Sequence, residues 1–298
     1  MLKLFLIVAI ALQTVMPCTC NAEDDIWRNR VSAEEVVTSA DIVAEVTFGR
    51  AVAARILGMY LPCDNPALLK YINLVGNTLV LNSNRPELEF HFILLDTDEL
   101  ASYAAPGGYV FISTGSLKLM EDESELAGVL AHEIAHISAR DIVKTLKIKG
   151  ADDSTTLAML ISGSSGSGTV RAALQPVNNS VATSATFSNA VQKGLLLLYS
   201  DEYPIEEVRQ ADRSAVIISA LSGYEPAGLI RYLDRIKQLN NKAFTQSGTA
   251  HLQLEDRISQ IKGDIAKKGI DDFALAKNRT RFTETMTDFK EHLSFPEF

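Results

Sequence analysis

His132-Glu133-Ile134-Ala135-His136 is the stretch on which the reading of this chain turns. On a helix, residues four apart lie about one turn apart on the same face, so both imidazoles can reach a single metal ion. Glu133 is rotated by about 100° from His132 and addresses a water beside the metal rather than the metal itself. Zinc lowers the pKa of such a water to about 7, and a carboxylate next to it can take the proton as the water attacks a carbonyl carbon. Two ligands and one base therefore sit within five residues, the layout of a hydrolytic zinc site.

The flanking sequence supplies the helix that this pattern needs. Asp122 and Glu125 are spaced as a capping box. Leu126, Leu130, Ile134 and Ile137 fall within a narrow arc, which leaves His132, His136 and Glu125 on another face. The expected helix, Asp122 to Arg140, buries one stripe and lines a cleft with the other.

Upstream, residues 31 to 60 have helical character, and a second helix is expected from about Asn65 to Leu81. Leu88, Phe90, Phe92 and Leu94 alternate with Glu89, His91 and Ile93, a strand pattern with one apolar face. His91 has no partner at metal-ligand spacing and is taken as a partly exposed strand residue. Pro106-Gly107-Gly108 is a turn signal, followed by the β-branched and aromatic strand Tyr109 to Ser113.

Downstream, the sequence loosens from Gly150 to about Gly194 around Gly163-Ser164-Ser165-Gly166-Ser167-Gly168. This is either a mobile lid over the cleft or an ordinary surface excursion. A helix resumes near Pro204, at an N1 position, and runs to about Ser222 with Gly223 as its stop. Two more are expected, Pro226 to about Leu239 and Leu254 to about Ile265. The tail from Lys267 to Phe298 mixes charge and aromatics without a clear period, and the sequence assigns it no role.

The first 22 residues have the form of a secretory signal: Lys3, the apolar stretch Leu4 to Val15, and the small-residue site at Cys20-Asn21-Ala22. Cys18 offers the alternative of a lipid anchor. After cleavage at Ala22 the domain organisation expected is a single catalytic domain over residues 23–265 and a C-terminal tail over 266–298. No later segment has 18 uninterrupted apolar residues, so no transmembrane span is expected. Cys63 would be the one cysteine left, which rules out an intramolecular disulfide, and no histidine pairs with it as in a thiol nucleophile. A formal charge of −9 argues against nucleic acid or an anionic membrane surface as partner.

Four blocks, in order, resemble metallopeptidase family 48 (peptidase M48), the family of the HtpX and CAAX prenyl proteases, and most of all its soluble periplasmic, BepA-like branch. They are Pro106 to Gly115; Glu125 to Ala131 running into His132 to His136; Ala211-Asp212-Arg213; and His251 followed by Arg257-Ile258. The resemblance spans about Phe48 to Lys262. It implies an α+β zincin (gluzincin) fold, mostly helical, with a small mixed sheet over the HExxH helix, and one Zn2+ per chain. It also implies that Tyr109, Val110, Phe111 and Ile112 form an exposed edge strand that pairs with an extended substrate. Asp212 would orient one zinc-bound histidine, and His251 would stand near the cleft, steadying the tetrahedral intermediate or capping the zinc at rest.

The chain departs from the family at several positions. The family's third ligand is a glutamate four residues before the aspartate of its Ala-Asp pair, and here that position is Val208. Valine cannot bind zinc. Glu206, Glu207 and Glu202 are the nearest carboxylates, and Glu207 is the provisional third ligand if the first turn of its helix is twisted or π-like. Ser102-Tyr103-Ala104-Ala105 replaces the family's Asn-Ala-Phe-Ala, and Asp141 replaces a histidine, changes expected to alter substrate contacts. The reading is a periplasmic or secreted zinc metalloendopeptidase of protein quality control, acting on unfolded or misassembled envelope polypeptides. His132, His136 and Glu207 would be its ligands and Glu133 its base. The alternative is a catalytically weak or inactive relative that binds unfolded clients. Natural substrate and oligomeric state are not legible in the sequence.

Overall fold

The computed structural model describes residues 37–150, 181–199, 204–239, 254–270 and 275–293. In chain order the elements are α1 (Ser39–Leu57), α2 (Pro66–Val80), β1 (His91–Leu95), β2 (Ser102–Ala105), β3 (Tyr109–Ser113), α3 (Thr114–Leu119) and the HExxH helix α4 (Glu123–Ala139). They continue with α5 (Asp141–Leu146), α6 (Val181–Tyr199), α7 (Ile205–Leu221), α8 (Gly228–Gln238), α9 (Leu254–Lys268) and α10 (Arg279–Leu293). The fold is mostly helical with a small mixed sheet. The expected signal segment, with Cys18, lies outside the described residues. Among the described residues no helix is long and apolar enough to cross a membrane.

Strand order is β1-β3-β2, with β3 parallel to β1 and antiparallel to β2. Tyr109 to Ser113 is thus the central strand, paired from His91↔Tyr109 to Leu95↔Ser113 on one side and from Ser102↔Ile112 to Ala105↔Tyr109 on the other. This corrects the expectation that Tyr109, Val110, Phe111 and Ile112 form an exposed edge. The physical reason is their continuous apolar run: Val110, Phe111 and Ile112 are completely buried, and a strand covered on both faces belongs inside a sheet. The edge falls to Ser102–Ala105, whose alanines carry little strand propensity and gave no strand signal of their own.

Alternation along the strands sorts side chains into two cores. Phe92, Leu94, Ala104, Val110 and Ile112 join the cluster built with α2, α4 and the C-terminal helices. Leu95, Tyr103, Ala105 and Phe111 face the opposite way, into a cluster with α1 and α6. The sheet is therefore a middle layer between helices. Its hairpin turn requires glycine: Gly107 and Gly108 have φ of 75° and 95°, and a Cβ on Gly108 would stand 2.0 Å from the Glu89 carbonyl oxygen.

Helix α6 revises the loosened reading of 150–194. The helix runs from Val181 to Tyr199, and its buried face, Ala190, Val191, Leu195 and Leu198, joins the cluster with α1 on its side of the sheet. The Gly163 to Gly168 stretch lies outside the described residues. The tail also has a place: Phe282, Met286 and Phe289, spaced i, i+4, i+7, are buried, and α10 packs on α2 and α4. Just before it, the Lys277 carbonyl accepts from the Glu123 and Ser124 N–H groups at 3.0 and 3.3 Å. The tail thereby satisfies two of the donors that a helix N-terminus leaves open.

Around α4 the expected capping box closes only halfway. Asp122 Oδ1 accepts from the Glu125 N–H at 3.1 Å, but the Glu125 carboxylate accepts from the Glu121 N–H instead, at 3.0 Å. Every residue from Glu123 to Ile137 is buried. Among the described residues α7, α8 and α5 pack against the polar face of α4. Buried Asp122 and Glu125 meet Arg231 and Arg235 of α8, and Glu123 meets Arg281 of α10.

Candidate metal centre

Helical geometry brings His132 and His136 together as expected. Their rings are perpendicular, 87° apart in plane, with the two Nε2 atoms 3.1 Å from each other. Each Nδ1 is met by a carboxylate from a different element. Asp212 Oδ1 of α7 lies 2.9 Å from His132 Nδ1, and Asp141 Oδ2 of α5 lies 2.7 Å from His136 Nδ1. Both imidazoles thus turn their Nε2 atoms toward one point while a carboxylate stands behind each Nδ1, hydrogen-bonded to it in His136 and in close charge contact without a hydrogen bond in His132, the carboxylate–histidine arrangement that orients metal ligands. All three HExxH polar side chains are buried, at 5–7% exposure.

Asp212 is placed by α9. Arg257 grips it in a two-pronged contact, Nε to Oδ2 at 2.9 Å and Nη2 to Oδ1 at 2.8 Å. Burial by itself would raise the Asp212 pKa, but Arg257 and then His132 hold it well below the usual carboxylate range. The two histidines respond differently. Burial dominates at His132 and lowers its pKa despite Asp212. At His136 burial also works downward, but the Asp141 contact outweighs it and the net direction is upward. Glu133, one residue on from His132, accepts a 2.7 Å hydrogen bond from Ser102 Oγ at the start of β2.

Asp141 and Ser102 were expected to touch substrate; the structure turns both inward, onto the site. For Asp141 the cause is the break after α4. Arg140 adopts φ 60° and ψ 35°, a left-handed cap that ends one helix and starts the next. For a non-glycine residue this costs about 1–2 kcal/mol. The turn is held by fully buried Glu45 of α1, whose carboxylate takes Arg140 Nε at 2.8 Å and Arg85 Nη1 at 2.7 Å.

At the third-ligand position, α7 starts without a π turn. Pro204, with φ −59°, presets the first turn, and its carbonyl accepts from the Glu207 and Val208 N–H groups at 3.0 and 3.3 Å. The twisted turn expected for Glu207 is absent. Val208 is fully buried in the apolar cluster with α1 and α6. Glu206 points out to Arg213 at 2.6 Å. Glu207 is half-buried, with Oε2 buried and lacking a hydrogen-bond partner. Burial first, then the Asp141 carboxylate, push its pKa up to about 7, against the opposing pull of His136. Among the described residues no third His, Cys, Asp or Glu joins the histidine pair at metal-holding distance. Glu202 and His251 lie outside the described residues.

Elsewhere, His91 stacks on Tyr109 with ring centroids 4.9 Å apart, away from the histidine pair. Cys63 is half-buried, and burial followed by Asp96 raises its thiol pKa, a setting that disfavours the thiolate.

Residues 66–265 match the profile of peptidase family M48. Over 285 residues the chain is 25% identical to the beta-barrel assembly-enhancing protease of Escherichia coli K12, covering 92% of this chain and 55% of that protein. The same protease of Yersinia pestis is 31% identical over 173 residues, 58% of this chain and 33% of that one. The mitochondrial metalloendopeptidase OMA1 of Schizosaccharomyces pombe is 34% identical over 80 residues, 27% of this chain and 23% of that one. The chain thus spans about half the length of the first of these relatives. With the family profile matched across the sheet, the HExxH helix and the helices that hold it, the chain belongs to peptidase family M48, a family whose fold is zincin-like.

Proposed function

We propose that this chain is a zinc-dependent metalloendopeptidase that works in the periplasm or in secreted form on unfolded or misassembled envelope proteins. The observation that carries the reading is the histidine pair. Two nitrogens bound tetrahedrally at about 2.0–2.1 Å stand about 3.3 Å apart, close to the 3.1 Å between the Nε2 atoms here. The residues fit zinc. His132 and His136 would hold it, and Glu207, whose buried Oε2 has no hydrogen-bond partner, is proposed as the third ligand through a shift of the regular first turn of α7 that brings it to the pair.

When bound, zinc supplies a Lewis acid that brings the pKa of water to about 7. Glu133 takes the proton of the attacking water, its Oε1 held by Ser102 Oγ at 2.7 Å. Asp212 and Asp141 keep the two imidazoles aligned. His251 is proposed as a helper beside the cleft, on the family resemblance. The edge strand tied to Glu133 is β2, all four of whose residues are buried; an extended peptide pairing there would gain main-chain hydrogen bonds with little dependence on sequence. The substrate class rests on the similarity to the beta-barrel assembly-enhancing proteases.

The test is elemental analysis and casein hydrolysis on wild type, His132→Ala and His136→Ala. About one zinc per chain and cleavage in wild type, both lost in the variants, is the expected result; equal zinc in all three ends the metal reading. A second reading, a client-binding protein without hydrolysis, is favoured by Val208 at the ligand position. Zinc-loaded wild type that captures unfolded casein and leaves it intact would establish that alternative.

A further inference from the structure

The feature left over from this account is the way Asp141 is held. It is 6% exposed, its Oδ2 stands 2.7 Å from His136 Nδ1, and it follows a residue locked in the left-handed region. A buried carboxylate is costly unless its charge is met. A non-glycine left-handed residue persists only where its surroundings over-determine it. Here they do so through Glu45, which binds both Arg140 and Arg85 from another part of the chain. Two contacts, Glu45–Arg140 and His136–Asp141, fix this turn, and Arg85 in turn holds Glu45; together they seat one carboxylate behind one imidazole.

We propose that Asp141 is a positioning residue of the metal centre, holding His136 with Nε2 toward the ion and adding negative charge behind a ligand set that lacks a carboxylate at position 208. The proposal rests on the zinc reading above. It explains why the two histidines, on one helix, each have a private carboxylate from a different helix. It also gives the Glu45–Arg140–Arg85 cluster a purpose at the site, since releasing Arg140 would let the turn relax and Asp141 withdraw.

The experiment is chelator competition for zinc on the full chain, comparing wild type with Asp141→Asn, Asp141→Ala and Glu45→Gln. Outer partners of metal-bound histidines are worth about 10–100-fold in affinity. Asp141→Ala should fall in that range, Asp141→Asn should lose about tenfold, and Glu45→Gln should lose less. The visible bands of the cobalt-loaded protein should shift in Asp141→Asn as the His136 ring turns, a change that a purely structural role would not produce. Asp141→Asn is nearly isosteric and carries the test should Asp141→Ala fail to fold. Wild type and both Asp141 variants binding zinc within twofold of one another would overturn the proposal alone. Wild type that takes up no zinc would overturn the metallopeptidase reading, and the proposal with it.

Discussion

Ser102 Oγ lies 2.7 Å from Glu133 Oε1 and donates to it, joining the sheet edge directly to the glutamate of the HExxH motif. A carboxylate fixed at one oxygen presents the other in a single orientation, and a hydrogen bond to a charged group is worth about 1.5–3 kcal/mol. Glu133→Gln should keep zinc and fold but lower kcat on casein by about 10²–10⁴. Ser102→Ala should lower kcat about tenfold with KM little changed, and Ser102→Thr should restore it, because each step alters only the base or its support. A Ser102→Ala protein cleaving at the wild-type rate would show that the contact does not matter for catalysis.

Val208 and Glu207 compete for the third-ligand role, and the regular start of α7 changes what each substitution should do. Val208 is fully buried among apolar side chains, so Val208→Glu puts a carboxylate where it has no partner. The expected result is a clear fall in Tm and no gain in zinc affinity. Glu207→Ala should weaken zinc binding while leaving Tm near wild type. If Val208→Glu instead tightens zinc at unchanged stability, the ligand position is 208 and the Glu207 assignment is wrong.

Arg281 reaches from α10 to Glu123, which also accepts from Asn278 at 3.0 Å and Tyr71 at 2.7 Å. Burial alone would raise the Glu123 pKa, but Arg281 and the other donors bring it below the ordinary 4.5. A depressed carboxylate contributes stability that is complete above its unfolded pKa and is lost as pH falls through the folded one. Arg281→Ala should therefore lower Tm at pH 7 by roughly 2–4 °C per kcal/mol lost, with the gap to wild type closing as pH falls through the depressed Glu123 pKa. A gap independent of pH would mean that Arg281 acts through packing and not through Glu123.

Ile112→Pro should abolish folding, because β3 is paired on both sides and proline removes a ladder donor and fixes φ inside the sheet. Circular dichroism melting would measure it. A folded Ile112→Pro protein with only weakened peptide binding would return β3 to the edge of the sheet.

The sequence by itself determined that His132 and His136 come together with Glu133 beside them, because that arrangement depends on helical repeat alone: residues four apart on α4 share a face whatever surrounds them. Helices α2, α7 and α9, and the strand character of Tyr109 to Ser113, were legible for the same reason, in local periodicity and caps. Sheet order was not, since an apolar run says that a strand is buried but not which neighbours bury it, and the short Ser102–Ala105 strand has no period of its own. The tail was missed although Phe282, Met286 and Phe289 fall on one helical face, because the surrounding charges mask the pattern and its partner, the N-terminus of α4, is far away in the chain. Only the tertiary structure decided which groups support the site. Ser102 and Glu133 are 31 residues apart and Asp212 and Arg257 45 apart, and hydrogen bonds across such separations leave no spacing rule in the sequence. Even Asp141, five residues from His136, depends on a left-handed turn at Arg140 that is held by Glu45, 95 residues earlier in the chain.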